Sequence, residues 1–402
     1  MNIKKIGLDF CLNIISSIIL VAAMQLIVYP KIASVCDANT YGGILTVMAV
    51  INTVVATFGN GLNNLRLITN EEYHDKGLCG DFNLLLVSSL VVITLIIVFG
   101  FYYLHFATFE IFVFWLIVVL AVLRVYLSVS FRLELNYKKI LLMNSIMSVV
   151  YIVATAFYVI FSGKGYWYLI FLSAEIACIA YLVKETHLLK EPFIKTELFS
   201  TVLYKYGNII YLTLIGNILL YMDRNLLYPL LGGVSVAIYF AATVVGKAVC
   251  IITQPMASVL LSYFSQVDFA MDRKRFWKIN MLICLSGVVS YIVIILIADF
   301  MVKMFYPSLY DAAKPYLYLA NAIPVLGVIG SMAQPSVLRY VSLNVQGVFQ
   351  TVFLLLSVGI SYCFVTRLGL WGFCYAAIIL SCLRIGILWF LGDKVMQKVR
   401  VS

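Results

Sequence analysis

Asp223, Arg224 and Lys247 lie inside a stretch, Tyr204 to Gln266, that otherwise reads as two apolar helices, Tyr206 to Tyr228 and Val234 to Phe264. A charge in a bilayer core costs about 2.5–3.5 kcal/mol even on lenient insertion scales. Residues that expensive face an aqueous cavity or a partner, so they mark a site. Arg124, Glu175 and Arg384 are set in apolar runs in the same way. Four cations against two deep acids fit the binding of an anion, because guanidinium and ammonium groups form strong charge-assisted hydrogen bonds to phosphate and carboxylate.

Each group has a plainer reading beside the functional one. Lys247 is about 13 residues into its helix, some 20 Å of rise, which is too deep for easy snorkelling. Arg224 is near the outer end of its run and either reaches the interface or serves a site. Arg124 and Arg384, toward the cytoplasmic ends of the fourth and twelfth runs, either anchor their helices or serve a site. Adjacent Asp223 and Arg224 do not face one another on a helix. Glu175, near the middle of the sixth run, is either a proton carrier or the structural partner of Arg124. Asp223 and Glu175 are thus the candidates for ion coupling. Asp299 lies one turn before Lys303, a structural pair.

Rows of polar residues at helical spacing extend the pattern. They are Thr53, Thr57, Asn60 and Asn64; Thr213, Asn217 and Arg224; Thr243, Lys247, Gln254 and Ser258; and Gln346, Gln350, Ser357 and Ser361. Interhelical hydrogen bonding accounts for the Ser and Thr positions. Rows that add Asn, Gln and a cation in both halves of the chain read as a hydrated cavity, with Asn60, Asn64, Asn217, Gln254 and Gln350 lining it. Pro255, Pro324 and Pro335 would kink the helices beside it. No catalytic or metal site is expected: His74, His105 and His187 are scattered, the nine Cys form no C-x-x-C pair, and no paired catalytic carboxylates stand out.

The elements that must position these groups follow from composition. The chain of 402 residues is 63% hydrophobic and 11% charged, against roughly 25% charged in a soluble domain. About twelve runs are long enough to span a bilayer, centred near Leu20, Val50, Ile93, Leu116, Val150, Ile176, Leu214, Val249, Val289, Val325, Leu355 and Ile379. In lipid, backbone polar groups must be satisfied within the segment, so these runs are helices. The expected fold class is an all-α polytopic membrane protein, with about 12 transmembrane helices in two six-helix bundles around a central cavity. The bundles are residues 1–183 and 206–402, joined by a solvated cytoplasmic linker at 184–205. A second long loop is expected from Asn63 to Asp81. Asn39 to Gly43 and Val236 to Ala241 read as a weak internal echo of one bundle in the other.

Phe10 to Tyr29 is too long for a signal-peptide core and is read as a retained first span. About nineteen of the 28 basic residues fall on one side when the N-terminus is cytoplasmic, which places both termini inside. The formal charge of +10 then reflects inner-leaflet topology rather than nucleic-acid binding. Tyr102, Tyr103, Tyr166, Trp167, Tyr168, Tyr306, Tyr310, Tyr316 and Trp371 read mostly as an outer aromatic belt.

The run Met222-Asp223-Arg224-Asn225-Leu226-Leu227, through Ser235 to Ala242, to Gln254-Pro255 resembles bacterial polysaccharide flippases of the multidrug/oligosaccharidyl-lipid/polysaccharide exporter superfamily. Tyr41-Gly42, Gly59-Asn60-Gly61-Leu62 and Gly369-Leu370-Trp371-Gly372-Phe373 fit the same resemblance. Ala237-Ile238 departs from it, since a Gly usually precedes the Tyr of that motif. The resemblance implies a flippase in the bacterial cytoplasmic (inner) membrane. Its cargo would be an undecaprenyl-pyrophosphate-linked oligosaccharide, moved by alternating access for cell-surface polysaccharide synthesis. Lys247, Arg224, Arg124 and Arg384 would form the cationic lumen. No cofactor is implied beyond a proton or sodium gradient. The implied partners are the lipid-linked oligosaccharide, the bilayer, and a polysaccharide polymerase with other assembly proteins. An ion-coupled drug or cation exporter of the same superfamily is the alternative, and it would need acids in the cavity. A membrane polymerase or glycosyltransferase would be expected to carry a sizeable extramembrane catalytic loop, which is absent.

Overall fold

The computed structural model describes the backbone of residues 3–161, 165–264, 273–338 and 343–399. Side-chain surroundings are described for 11–161, 165–248, 273–334 and 347–394. Among the described residues there is no strand. The helices are α1 (Ile3–Ala22), α2 (Tyr29–Val35), α3 (Ala38–Lys76), α4 (Asp81–Tyr103), α5 (Thr108–Leu127), α6 (Val129–Leu133) and α7 (Tyr137–Ile160). They continue with α8 (Tyr168–Glu185), α9 (Phe199–Leu220), α10 (Met222–Phe264), α11 (Arg273–Phe305), α12 (Tyr310–Ala313), α13 (Leu317–Leu338) and α14 (Leu343–Val399). Every apolar run read from the sequence lies on one of them. Nine stretches among the described residues are long and apolar enough to cross a membrane. The chain is an all-α polytopic membrane protein.

Breaks inside these helices have local causes. A π-helical turn at Ala23–Val28 precedes Pro30, whose missing N–H and bulky ring disrupt the regular ladder. Gly232 divides α10 at φ 79° and Gly369 divides α14 at φ 59°, in a region that glycine enters without a Cβ clash. Each divided helix therefore supplies two segments. The expected span from Tyr206 to Tyr228 is itself broken at Tyr221, where α9 ends and α10 begins. Arg224 accordingly starts a new helix and does not continue the row of Thr213 and Asn217.

The chain forms two compact units. The first comprises Met1–Val35 and Val47–Tyr221, and the second Cys36–Thr46 and Met222–Ser402. The expected division at 184–205 differs: the units part within apolar stretches, and hydropathy carries no mark of which bundle a helix packs with. Nor is 184–205 a free linker, because α9 starts at Phe199 and the segment before it is pinned to the first unit. The loop expected from Asn63 to Asp81 is helical up to Lys76. Leu62, Leu65, Thr69 and Tyr73 are buried along it, a helical spacing hidden by the polar residues between them.

In the first unit, Asn144 Nδ2 on α7 donates to Ser16 Oγ on α1 at 2.8 Å. In the second, Asn321 on α13 bridges to α10. Its Oδ1 accepts the Gly246 N–H at 2.8 Å, and its Nδ2 donates to the Ala242 carbonyl at 2.7 Å. Those two backbone groups are four residues apart, so the amide inserts at one step of the α10 ladder. A Cβ at Gly246 would lie 2.8 Å from Asn321 Oδ1. The stretches read as an internal echo are neighbours within the second unit: the rings of Tyr41 and Phe240 stand 6.2 Å apart.

Candidate functional site

The second unit gathers three of the ionisable residues that the sequence singles out. Asp223 lies in the first turn of α10, where the helix dipole favours a carboxylate. Lys247 follows on the same helix beyond the break at Gly232, and its Nζ donates to Asp223 Oδ2 at 2.5 Å. The ammonium also sits 5.5 Å from the Tyr239 ring and 5.6 Å from the Phe240 ring. Arg224, the next residue after Asp223, lies over the Phe240 ring at 4.9 Å. Phe240 packs on Tyr41 and Tyr306, and all three rings are fully buried. The result is two cations and one carboxylate mounted on a rigid aromatic base.

This aromatic base is the part that the residue types did not reveal. Tyr306 is read from sequence as belt, yet it is buried, as are Trp167 and Tyr168. Tyr102, Tyr103 and Tyr166 are exposed, as a belt requires. Asp299 and Lys303 converge on Tyr310 instead of forming an ion pair of their own. The Tyr310 hydroxyl donates to Asp299 at 2.7 Å, and Lys303 lies 5.8 Å from the same ring.

In the first unit, Arg124 on α5 holds Glu175 on α8 through both carboxylate oxygens, with Nε to Oε2 at 2.7 Å and Nη2 to Oε1 at 3.1 Å. Glu175 is only 4% exposed. Of its two readings, the geometry matches the partner of Arg124. A two-point pair of this kind fixes both side chains and both helices.

Arg384 stands in neither cluster. Its Nη2 donates to Gln334 Oε1 at 2.9 Å, and its guanidinium lies 5.8 Å from the Phe353 ring. Gln350, Ser357 and Ser361 lie along α14, each with a buried side-chain oxygen that has no hydrogen-bond partner among the described residues. Gln254, Ser258 and Gln346, with Pro255 and Pro335, lie on described helices but outside the residues whose side-chain surroundings are described.

The remaining predicted lining residues are dispersed. Asn60 and Asn64 are exposed. Thr53 and Thr57 are buried and turn their hydroxyls to carbonyls of their own helix. Asn217 likewise donates to the Thr213 carbonyl. The buried asparagine of α3 is Asn63, which bonds the Val125 carbonyl and accepts from Arg132. No group of three or more His, Cys, Asp and Glu among the described residues could hold a metal ion.

A second polar cluster of the first unit is absent from the sequence reading. Asp81, at the start of α4, accepts from the Tyr73 hydroxyl at 2.5 Å, from the Thr196 N–H at 2.8 Å, and from the Thr196 hydroxyl. Arg66 holds Glu191 through both carboxylate oxygens and donates to the Tyr126 hydroxyl at 2.9 Å. The partners here are separated by up to 125 residues, so no local pattern announces them.

A search among curated proteins found no match. Solved structures do match the fold. A multidrug resistance MATE family transporter of the MOP superfamily, in an inward-facing conformation, is 14% identical with a TM-score of 0.68, over 98% of this chain and 96% of that one. An outward-facing conformation of such a transporter is 12% identical with a TM-score of 0.62, over 98% and 96%. A Vibrio cholerae MATE transporter is 12% identical with a TM-score of 0.62, over 97% of each chain. The family model described as "Polysaccharide biosynthesis protein" matches residues 11–268. With the matched segment exceeding half its length, the chain belongs to the polysaccharide biosynthesis protein family, and it is built on the MATE-type transporter fold.

Proposed function

We propose that the protein is a flippase that carries a polyprenyl-pyrophosphate-linked oligosaccharide across the bacterial cytoplasmic membrane for surface polysaccharide synthesis. The observation that carries this reading is the state of its two deep carboxylates. Glu175 is held by Arg124 and Asp223 by Lys247. A cationic drug entering either cluster would have to displace a built-in cation. An anionic head group would instead be drawn to the cations, and the family to which the chain belongs points to a sugar-bearing cargo.

The chemistry is an exchange of partners. Asp223 occupies Lys247 while no cargo is bound. A pyrophosphate carries more charge than one carboxylate and offers more acceptor oxygens, so it competes for Lys247, with Arg224 adding a second contact. A proton on Asp223 would neutralise the carboxylate and release the ammonium, which couples cargo binding to a proton gradient. Sodium beside Asp223 would do the same by charge. The lipid tail remains in the bilayer throughout. The excess of basic residues on one side supports cytoplasmic termini.

Deletion of the gene in the native host tests this reading. The expected result is accumulation of complete lipid-linked oligosaccharide on the inner leaflet. Unpolymerised units on the outer leaflet would overturn the reading in favour of a polymerase. Unchanged polymer with raised sensitivity to cationic drugs would overturn it in favour of an exporter.

A further inference from the structure

From the last residues of α8 to the start of α9 the chain runs as a strap, Lys184 to Leu198, held against the first unit at several points. Asn83 Nδ2 donates to the carbonyls of Leu188 and Glu191, at 3.2 and 2.9 Å. Asp81 takes the Thr196 N–H. Gly80, at φ 122°, passes so close beneath the strap that a Cβ would lie 2.8 Å from the carbonyl oxygens of Pro192 and Ile194. The path of the strap is therefore fixed.

Its charges are sorted by sign. The acids pair with cations of the same unit: Glu185 to Lys139 at 3.1 Å, Glu191 to Arg66, and Glu197, at the surface, to Lys76 at 2.7 Å. The basic residues Lys184, Lys190 and Lys195 are exposed, and none makes an ion pair among the described residues. Beside them Leu189, Phe193 and Ile194 stand 42%, 61% and 57% exposed. A strap that merely crossed water would have no reason to consume its acids while leaving lysines and large apolar side chains outside. The strap is pinned to Lys76 at the end of α3 and to Asp81 and Asn83 at the start of α4, two helices long and apolar enough to cross a membrane. It therefore lies beside the ends of spans, at the height of the lipid head groups. Lysines beside bulky apolar residues at that height are the composition of an interfacial membrane-binding segment.

We propose that this strap is a binding surface for anionic lipid. Leu189, Phe193 and Ile194 enter the boundary between head groups and acyl chains. Lys184, Lys190 and Lys195 meet the phosphates, each contributing roughly fivefold in affinity near an anionic surface. Capture of the three acids by Lys139, Arg66 and Lys76 removes the like-charge repulsion that would otherwise oppose the contact.

The test uses the full chain carrying Phe193→Trp, reconstituted in vesicles of phosphatidylcholine or of an equal mixture with phosphatidylglycerol. Subtracting the emission of the unsubstituted chain isolates the new indole, and lipids brominated on their acyl chains report its depth. The expected result is several-fold stronger quenching in the anionic vesicles, lost when Lys184→Gln, Lys190→Gln and Lys195→Gln are added. A milder pair, Lys190→Gln with Lys195→Gln, leaves every anchor of the strap in place and should lose part of the effect with thermal stability unchanged. Equal quenching in the two vesicles, or quenching unaffected by removing the lysines, would overturn the proposal.

Discussion

Lys247 and Asp223 lie on opposite sides of the Gly232 break in α10, yet Lys247 Nζ meets Asp223 Oδ2 at 2.5 Å. The break is what brings residues 24 apart in the chain within reach. Each charge cancels much of the membrane cost of the other, while Asp223 Oδ1 keeps no hydrogen-bond partner among the described residues.

Removing one member should therefore be worse than removing both. Lys247→Ala leaves a buried carboxylate uncompensated and should cost about 3–5 kcal/mol of stability. Adding Asp223→Ala should recover most of that loss. Thermal unfolding in detergent reads the difference, and transport should stay absent in both variants because the ammonium is gone.

The same logic applies to Arg124 and Glu175, with a different functional outcome. Glu175→Gln should lower stability by about 3 kcal/mol, and pairing it with Arg124→Gln should restore much of it. Gradient dependence of transport should persist in Glu175→Gln, because a carboxylate held at two points by a guanidinium is a helix clamp. Loss of that dependence, with the protein still folded, would return the coupling role to Glu175.

Asn321 should matter more than its distance from any cation implies. Asn321→Ala removes the amide that bonds the Gly246 N–H and the Ala242 carbonyl. The expected loss is about 1–3 kcal/mol, read by thermal unfolding. Lys247 is the next residue after Gly246, so transport should fall as well.

Gly42 is the most demanding glycine of the second unit. A Cβ there would come 1.9 Å from the Gly233 carbonyl oxygen, a contact with backbone that no rotamer relieves. Gly42→Ala should reduce the yield of folded protein or cost at least about 1–3 kcal/mol, whereas Gly100→Ala, with open space around it, should be neutral. Expression followed by size-exclusion chromatography of the two variants separates them.

Much of the fold is legible in the sequence because hydropathy is a local property. The runs near Leu20, Ile93 or Val289 each report a helix without reference to the others. The break at Tyr221 is not legible, since no Gly or Pro marks it and apolar residues stand on both sides of Asp223 and Arg224. The extension of α3 to Lys76 is written in the spacing of Leu62, Leu65, Thr69 and Tyr73, but the polar residues between them disguise it. The site divides in the same way. The cost of burying Lys247, Asp223, Arg124 and Glu175 is visible residue by residue. Arg124 is already one of the two readings of Glu175, whereas the partner of Lys247 is hidden, because the choice between Asp223 with Lys247 and other pairings depends on a backbone turn. Phe240, Tyr41 and Tyr306 look like ordinary core or belt residues until the second unit stacks them beneath the cations.

Transport in purified vesicles tests the central claim most directly. The protein is reconstituted with a fluorescent polyprenyl-pyrophosphate oligosaccharide, and a membrane-impermeant quencher follows the label from one leaflet to the other. Gradient-driven movement of the lipid-linked sugar, abolished by Lys247→Ala and unaffected by a cationic dye, is the expected result. Movement of the cationic dye by the same vesicles, with the lipid-linked sugar left in place, would contradict it.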